Sequence, residues 1–165
     1  MATNQSSEID LINQALQMVN LAPIDTLDDT TDIARQAYIE FDRAKAKTLW
    51  CYENDFPLRE IKLTSDDNGG FYKPADMLKA VSPKPSKIIG NKLYFSYPLM
   101  VAFQYITNTP NDADLTEEYK AAVVYEMATS FALDFKKDLQ LSEIFRARAE
   151  KFRVDISTRQ NYWVK

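Results

Sequence analysis

Histidine is absent from this 165-residue chain. Without an imidazole, Ser-His-Asp and Cys-His catalysis are excluded, and so is His-based metal ligation. Cysteine occurs once, at Cys51, so neither an internal disulfide nor a Cys-rich zinc site can form. With no imidazole to activate it, the thiol reads as a small buried hydrophobe following Trp50 at a helix end. The three glycines, Gly69, Gly70 and Gly90, are too few and too scattered for a phosphate-cradling loop. No apolar run approaches the ~18 residues a membrane span needs. Residues 1–7 are polar and uncharged, without the basic start and apolar stretch of a signal peptide. The expectation is a soluble protein made in a reducing compartment, with no membrane partner.

What is present is a globular balance, with 45% apolar and 27% charged residues. Surface scaling at this length buries about 70% of the chain's surface in one domain without staples. Twenty Lys and Arg against 24 Asp and Glu leave a formal charge of −4. A mildly acidic protein lacks the basic footprint of one whose main task is gripping phosphate backbones.

Helical spacing dominates both ends of the chain. Ile9, Ile12, Leu16 and Val19 recur at three- and four-residue steps, predicting a helix over 8–20 with Ser7 as N-cap and Asp10 as capping-box partner. Asp28, Asp29, Thr30, Thr31 and Asp32 form a second cap-like cluster. A helix from Thr31 to Trp50 or Tyr52 follows, with the stripe Ala34, Ala37, Tyr38, Phe41 and Leu49. Thr116, Glu117 and Glu118 open a third helix reaching about Lys137, whose apolar side is Tyr119, Ala122, Val123, Met127, Phe131 and Phe135. A break near Asp138 leads to a fourth, carrying Leu141, Ile144, Phe145, Arg148, Phe152 and Ile156. The short connection makes the last two antiparallel neighbours.

Between Phe56 and Ile106 the texture changes to prolines and alternating polarity. Glu60–Leu63 and Met100–Ile106 alternate as strands do, the latter with Val101, Phe103 and Tyr105 on one face. Ile88 to Phe95 reads as a hairpin turning at Gly90-Asn91. Thr64–Gly70 is a polar loop by composition. The expected fold is therefore α+β and mainly α: an antiparallel bundle of about four helices with a small antiparallel β insertion between helices 2 and 3. In residue terms the bundle spans 7–52 and 115–156, the β insertion 56–106 and a C-terminal tail 157–165. The two helical pairs are expected to pack on each other.

Carboxylate clusters are the remaining catalytic raw material. Asp28, Asp29 and Asp32 could share a cation, but acids at a helix start already have a structural reason. Asp66 and Asp67 lie in the polar loop. Asn111, Asp112 and Asp114 lack the glycine and the bidentate Glu of a calcium loop. The expectation is no enzyme, no catalytic residue, no cofactor and no metal. Lys79, Lys84, Lys87 and Lys92, with Tyr94 and Phe95 nearby, have the residue types of single-strand binding surfaces, and equally of protected sheet edges. A nucleic-acid-binding module using the Lys79–Lys92 region is the alternative function. Arg153, Arg159, Tyr162 and Trp163 combine residue types enriched at interface hot spots, and equally Tyr162 and Trp163 could fold back onto the chain's own bundle.

Taken in order, several segments resemble the tail tubular protein A family, the head-to-tail connector adaptors of short-tailed bacteriophages. They are the helix Ile12-Asn13-Gln14-Ala15-Leu16 running into Leu21-Ala22-Pro23-Ile24 and Leu27-Asp28-Asp29, and the long helix ending at Leu49-Trp50, then Phe56. The stretch Phe71-Tyr72-Lys73-Pro74-Ala75-Asp76-Met77-Leu78 entering a strand comes next. The hairpin Ile89-Gly90-Asn91-Lys92-Leu93-Tyr94, the strand end Gln104-Tyr105-Ile106 and the helix from Ala121-Ala122-Val123 to Ala128 complete the series. The run Trp50-Cys51-Tyr52-Glu53-Asn54 departs from the aromatic run that family members commonly carry there. The resemblance implies a structural virion protein at the head–tail junction, made in the host cytoplasm. It would assemble as a ring of about twelve copies, bound to the portal above and a tail nozzle or tubular protein below. DNA would pass through the ring during genome ejection without specific binding. It further implies a C-terminal extension reaching toward the portal, which would bury Tyr162 and Trp163; with the hot-spot reading above, Arg153, Arg159, Tyr162 and Trp163 are the candidate portal-docking residues. Asp66, Asp67 and Asn68 are the candidate lumen- or tail-facing loop.

Overall fold

The computed structural model describes residues 3–26, 31–53, 57–96 and 100–162, with side chains except those of residues 3–6, 112 and 160–162. Helices α1 (Thr3–Met18) and α2 (Asp32–Leu49) come first, and α3 (Glu117–Asp134) and α4 (Leu139–Tyr162) last. Between them lie six strands: β1 (Leu58–Thr64), β2 (Phe71–Tyr72), β3 (Met77–Ser82), β4 (Lys87–Ile89), β5 (Lys92–Tyr94) and β6 (Met100–Thr107).

Local chemistry explains the helix ends. Thr31 Oγ1 accepts from the Ala34 amide at 3.2 Å, and Thr116 Oγ1 from the Tyr119 amide at 3.2 Å, so each hydroxyl satisfies an orphan donor of the first turn. Asp138 does the same for Leu141 at 2.9 Å and starts α4, directly after Lys137 turns the chain at φ 55°. Helix α1 begins at Thr3, so Ser7 and Asp10 lie inside it and the capping box expected at Ser7 does not form. Helix α4 runs on to Tyr162, so residues 157–162 of the expected tail continue the helix.

The helices do not pack as two pairs. Each of α1, α2 and α4 packs on α3, while α1 and α2 barely meet. The reason lies in α3 itself, which buries Tyr119, Ala122, Val123, Val124, Met127, Ala128, Thr129, Phe131 and Ala132. That spread occupies most of the helix circumference, well beyond a one-sided stripe, and suits a central helix. Alanines at the contacts (Ala34, Ala37, Ala44, Ala122, Ala128) let the backbones approach closely. In α4 the buried residues are Ser142, Phe145, Ala149, Arg153 and Ile156, and Ile144 of the expected stripe is exposed.

The expected small β insertion in a helical bundle is corrected. The strands form two three-stranded antiparallel sheets, ordered β1-β6-β3 and β2-β5-β4, making a sheet unit of their own between α2 and α3. That unit has its own core of Leu63, Phe71, Leu93, Phe103 and Tyr105, with Phe95 set edge-on to Phe71 and Phe103 at 5.2 and 5.6 Å. Strand β2 is not expected from alternation because it is only two residues long. Strand β3 carries register shifts at Met77/Lys79 and Ala80/Ser82, which erase the period-2 signal. The β1-β6-β3 sheet joins the two units: Ile106, Leu58, Leu78 and Val81 pack into the helical core, while Phe103 and Tyr105 face the sheet core. The β2-β5-β4 sheet therefore lies on the side of the inner sheet turned away from the helices.

Candidate docking surfaces

The C-terminal candidates separate into inward and outward groups. Arg153 is 7% exposed, and its guanidinium donates to Glu126 of α3 and Glu150 of α4. Burial opposes its charge, but the two carboxylates outweigh that and hold its pKa above the ordinary value. Glu126 also receives Lys47 of α2, so one carboxylate ties together three helices. Two turns on, Arg159 donates to Glu118 at 2.7 Å across the same α3–α4 seam. This bond, with the Glu118 backbone amide as the larger cause, lowers the Glu118 pKa. Arg153 is thus an internal staple, and Arg159 is an exposed residue tied to α3. Tyr162 ends α4, with its side chain outside the description, and Trp163 lies outside the described residues.

The loop candidates are brought into contact with the basic ones. Asp66 accepts from the Lys92 ammonium and from the amides of Asn68 (3.0 Å) and Gly70 (2.9 Å), which closes the 66–70 turn. The Lys92 bond, then the Gly70 amide, holds its carboxyl below the usual carboxylate range. Gly69 supplies the left-handed φ of 72° that this turn needs. Asp67 and Asn68 stay exposed.

The lysines do not form one patch. Lys79 faces the helices and donates to the carbonyls of Trp50 and Tyr52. Lys87 and Lys92 lie on the outward face of the β2-β5-β4 sheet, above Tyr94 at 5.6 Å and Tyr72 at 5.1 Å respectively. Lys84 is exposed beyond β3. Phe95 belongs to the sheet core. On this outer sheet, register aligns Tyr72, Lys92 and Ile89 in one row. Tyr72, Ile88 and Ile89 are all more than half exposed. These three were missed at the sequence level, although two adjacent isoleucines beside a two-residue turn are a signal, since alternation buries only one of them.

The remaining candidates stay apart. Asp32 sits in the first turn of α2, 3.8 Å from Arg35, while Asp28 and Asp29 lie outside the described residues. Asp112–Asp114 is a single 3-10 turn. Among the described residues, no group of three or more His, Cys, Asp or Glu side chains could hold a metal ion. Cys51 is half-buried, and burial pushes its thiol pKa up, away from the thiolate a nucleophile needs. No described helix is long and apolar enough to cross a membrane. No protein-family model matches this chain, and neither does any curated protein sequence.

Proposed function

We propose that this chain is a non-catalytic structural adaptor that assembles with copies of itself into a ring at the head–tail junction of a tailed bacteriophage. In that position it binds the portal on one side and a tail component on the other, and it extends the DNA channel. The single observation that supports the proposal is that both α2 and α4, which flank α3, carry exposed apolar side chains, beside others on α3 and the strands. Ile39, and Trp50 at the C-cap, lie on the α2 side; Leu139, Ile144 and Val154 lie on α4. A cyclic ring of identical subunits needs two different lateral surfaces per copy, because its contacts are heterologous. Half-exposed apolar side chains on two separate helices are compatible with that need.

Electron microscopy of the chain co-expressed with the portal of the same virion tests the proposal. Rings of defined copy number docked on the portal are the expected result. Single globules under every condition overturn it.

A further inference from the structure

Two features outside the lateral helix surfaces fit each other in shape and polarity. The first is the β4–β5 hairpin. All three residues of β4 are exposed, and Ile88 and Ile89 stand on opposite faces with about half of each surface in water. Lys87 lies beside them, and the hairpin turns at Gly90, whose φ of 57° the two-residue turn requires. The second is a groove between α1 and α3. Cavities of about 310 and 300 Å³ share Gln14 and Ala121 and so run into one another along the helix pair. The apolar residues of the groove are Leu11 and Met18 of α1 and Ala121 and Val124 of α3, of which Leu11 and Val124 are buried, and Tyr125 stands beside them, stacked on Phe152 of α4 at 5.8 Å. Ala121 and Tyr125 of α3 are thus half-buried along a channel bounded by α1 and by the Tyr125–α4 stack. A two-stranded hairpin, with strands about 5 Å apart, is close in width to the ~10 Å helix such a channel would otherwise hold.

Charge points the same way. Residues 57–107 carry seven Lys and Arg against four Asp and Glu, while the rest of the chain carries 13 against 20. The sheet unit is therefore basic and the remainder acidic. At the groove mouth the charged groups are Asp10 of α1 and Glu117 and Lys120 of α3; Lys120 already donates to Glu117 at 2.7 Å, which leaves the local excess negative. Arg148 sits over Tyr125 at the far end.

We propose that the β4–β5 hairpin of one copy seats in the α1–α3 groove of a second copy, with Lys87 against Asp10 and Ile89, on the same face as Lys87, over Ala121 and Tyr125. The contact joins two different surfaces and so propagates from copy to copy, which adds a second contact to the α2 and α4 surfaces of the ring proposed above. It rests on that ring assignment for its biological meaning, but it is tested on the chain alone.

The experiment is a charge exchange read by sedimentation of the full chain over a concentration series. Lys87→Glu and Asp10→Lys are each expected to weaken self-association by about tenfold, the cost of opposing like charges at an interface. The double variant is expected to return to within about threefold of the native chain, since the pair is restored in reverse. Thermal melting confirms that the variants stay folded. Unchanged association in both single variants overturns the proposal, as does a double variant as weak as the singles, or a native chain that stays monomeric throughout. The ring assignment fails separately, only when the native chain forms no ring with its portal. Portal-docked rings built from Lys87→Glu chains would keep that assignment and discard this contact.

Discussion

The ammonium of Lys79 closes the C-terminal end of α2 from a neighbouring strand. Its Nζ donates to the carbonyl oxygens of Trp50 and Tyr52 at 3.0 Å each, lies 5.8 Å from the Trp50 ring centre, and is 3.6 Å from Glu53. Helix ends leave carbonyls without intrahelical partners and concentrate partial negative charge, so a cation here satisfies both needs at once. Because Lys79 belongs to β3, the bond also fixes the sheet unit on the helical unit.

Replacing Lys79 with Met keeps the apolar stem and removes the donor. The expected cost is about 1–2 kcal/mol, one helix-terminal charge interaction plus hydrogen bonds to carbonyls. Chemical denaturation measures it. Lys79→Arg, which retains donors and charge, is expected to lose less; equal losses would mean that the stem and not the cap matters.

Arg153 offers a contrast between stability and docking. Arg153→Met strands Glu126, 16% exposed, with Lys47 as its remaining cation, and is expected to destabilise the fold by about 2–4 kcal/mol. The double variant Glu126→Met with Arg153→Met removes both charges and is expected to recover most of that loss, because a largely buried carboxylate that has lost one of its two cations is expensive. Denaturation midpoints of the two variants decide this. An Arg153→Met chain of native stability that fails to bind portal would instead return Arg153 to the docking surface.

Acid should loosen the 66–70 turn. Lys92, the Gly70 amide and the Asn68 amide hold Asp66 below its ordinary pKa of 3.8. A depressed folded-state pKa means the contribution to stability is complete above the unfolded value and is lost as pH falls through the folded one. The expected outcome is a turn unchanged from neutral pH down to about 4, followed by loss of Asp66 contacts below it. Carboxyl chemical shifts followed by NMR report the midpoint; one above 3.8 would contradict the bonding described. Asp66→Asn should abolish the transition.

The C-terminal segment separates docking from folding. Ending the chain at Ile156 removes the Arg159–Glu118 pair, whose partners are 66% and 34% exposed, so the contribution lost from that pair is small. A Tm shift of no more than about 3 °C is expected on calorimetry. Portal association, in contrast, is expected to disappear in co-purification. Cooperative loss of the fold would show instead that residues 157–165 are core.

Legibility from sequence followed periodicity. Helices α2 and α3 and strands β1 and β6 were visible because apolar residues recur in them at a fixed step, and the Gly90-Asn91 hairpin because its turn demands positive φ. Strands β2 and β3 were not visible to that test: one is too short to show a period, and the other is broken by bulges. The buried side of α4 was misphased because Arg153 and Ser142, polar by type, lie inside, while Ile144 lies outside. Among the candidate residues, spacing could not reveal that Asp66 and Lys92, 26 positions apart, form one pair, or that Arg153 faces α3.

The sequence by itself determined the order of the four helices and the strand-rich segment between α2 and α3, the helix starts near Thr31 and Thr116, and the exclusion of histidine chemistry and disulfides, because each depends on residue type or near-neighbour spacing. Only the tertiary structure decided that α3 is the central helix, that the strands build a two-sheet unit with its own core, and which charges are internal. Those outcomes depend on contacts between segments far apart along the chain, where the local pattern is the same whichever partner a surface finds.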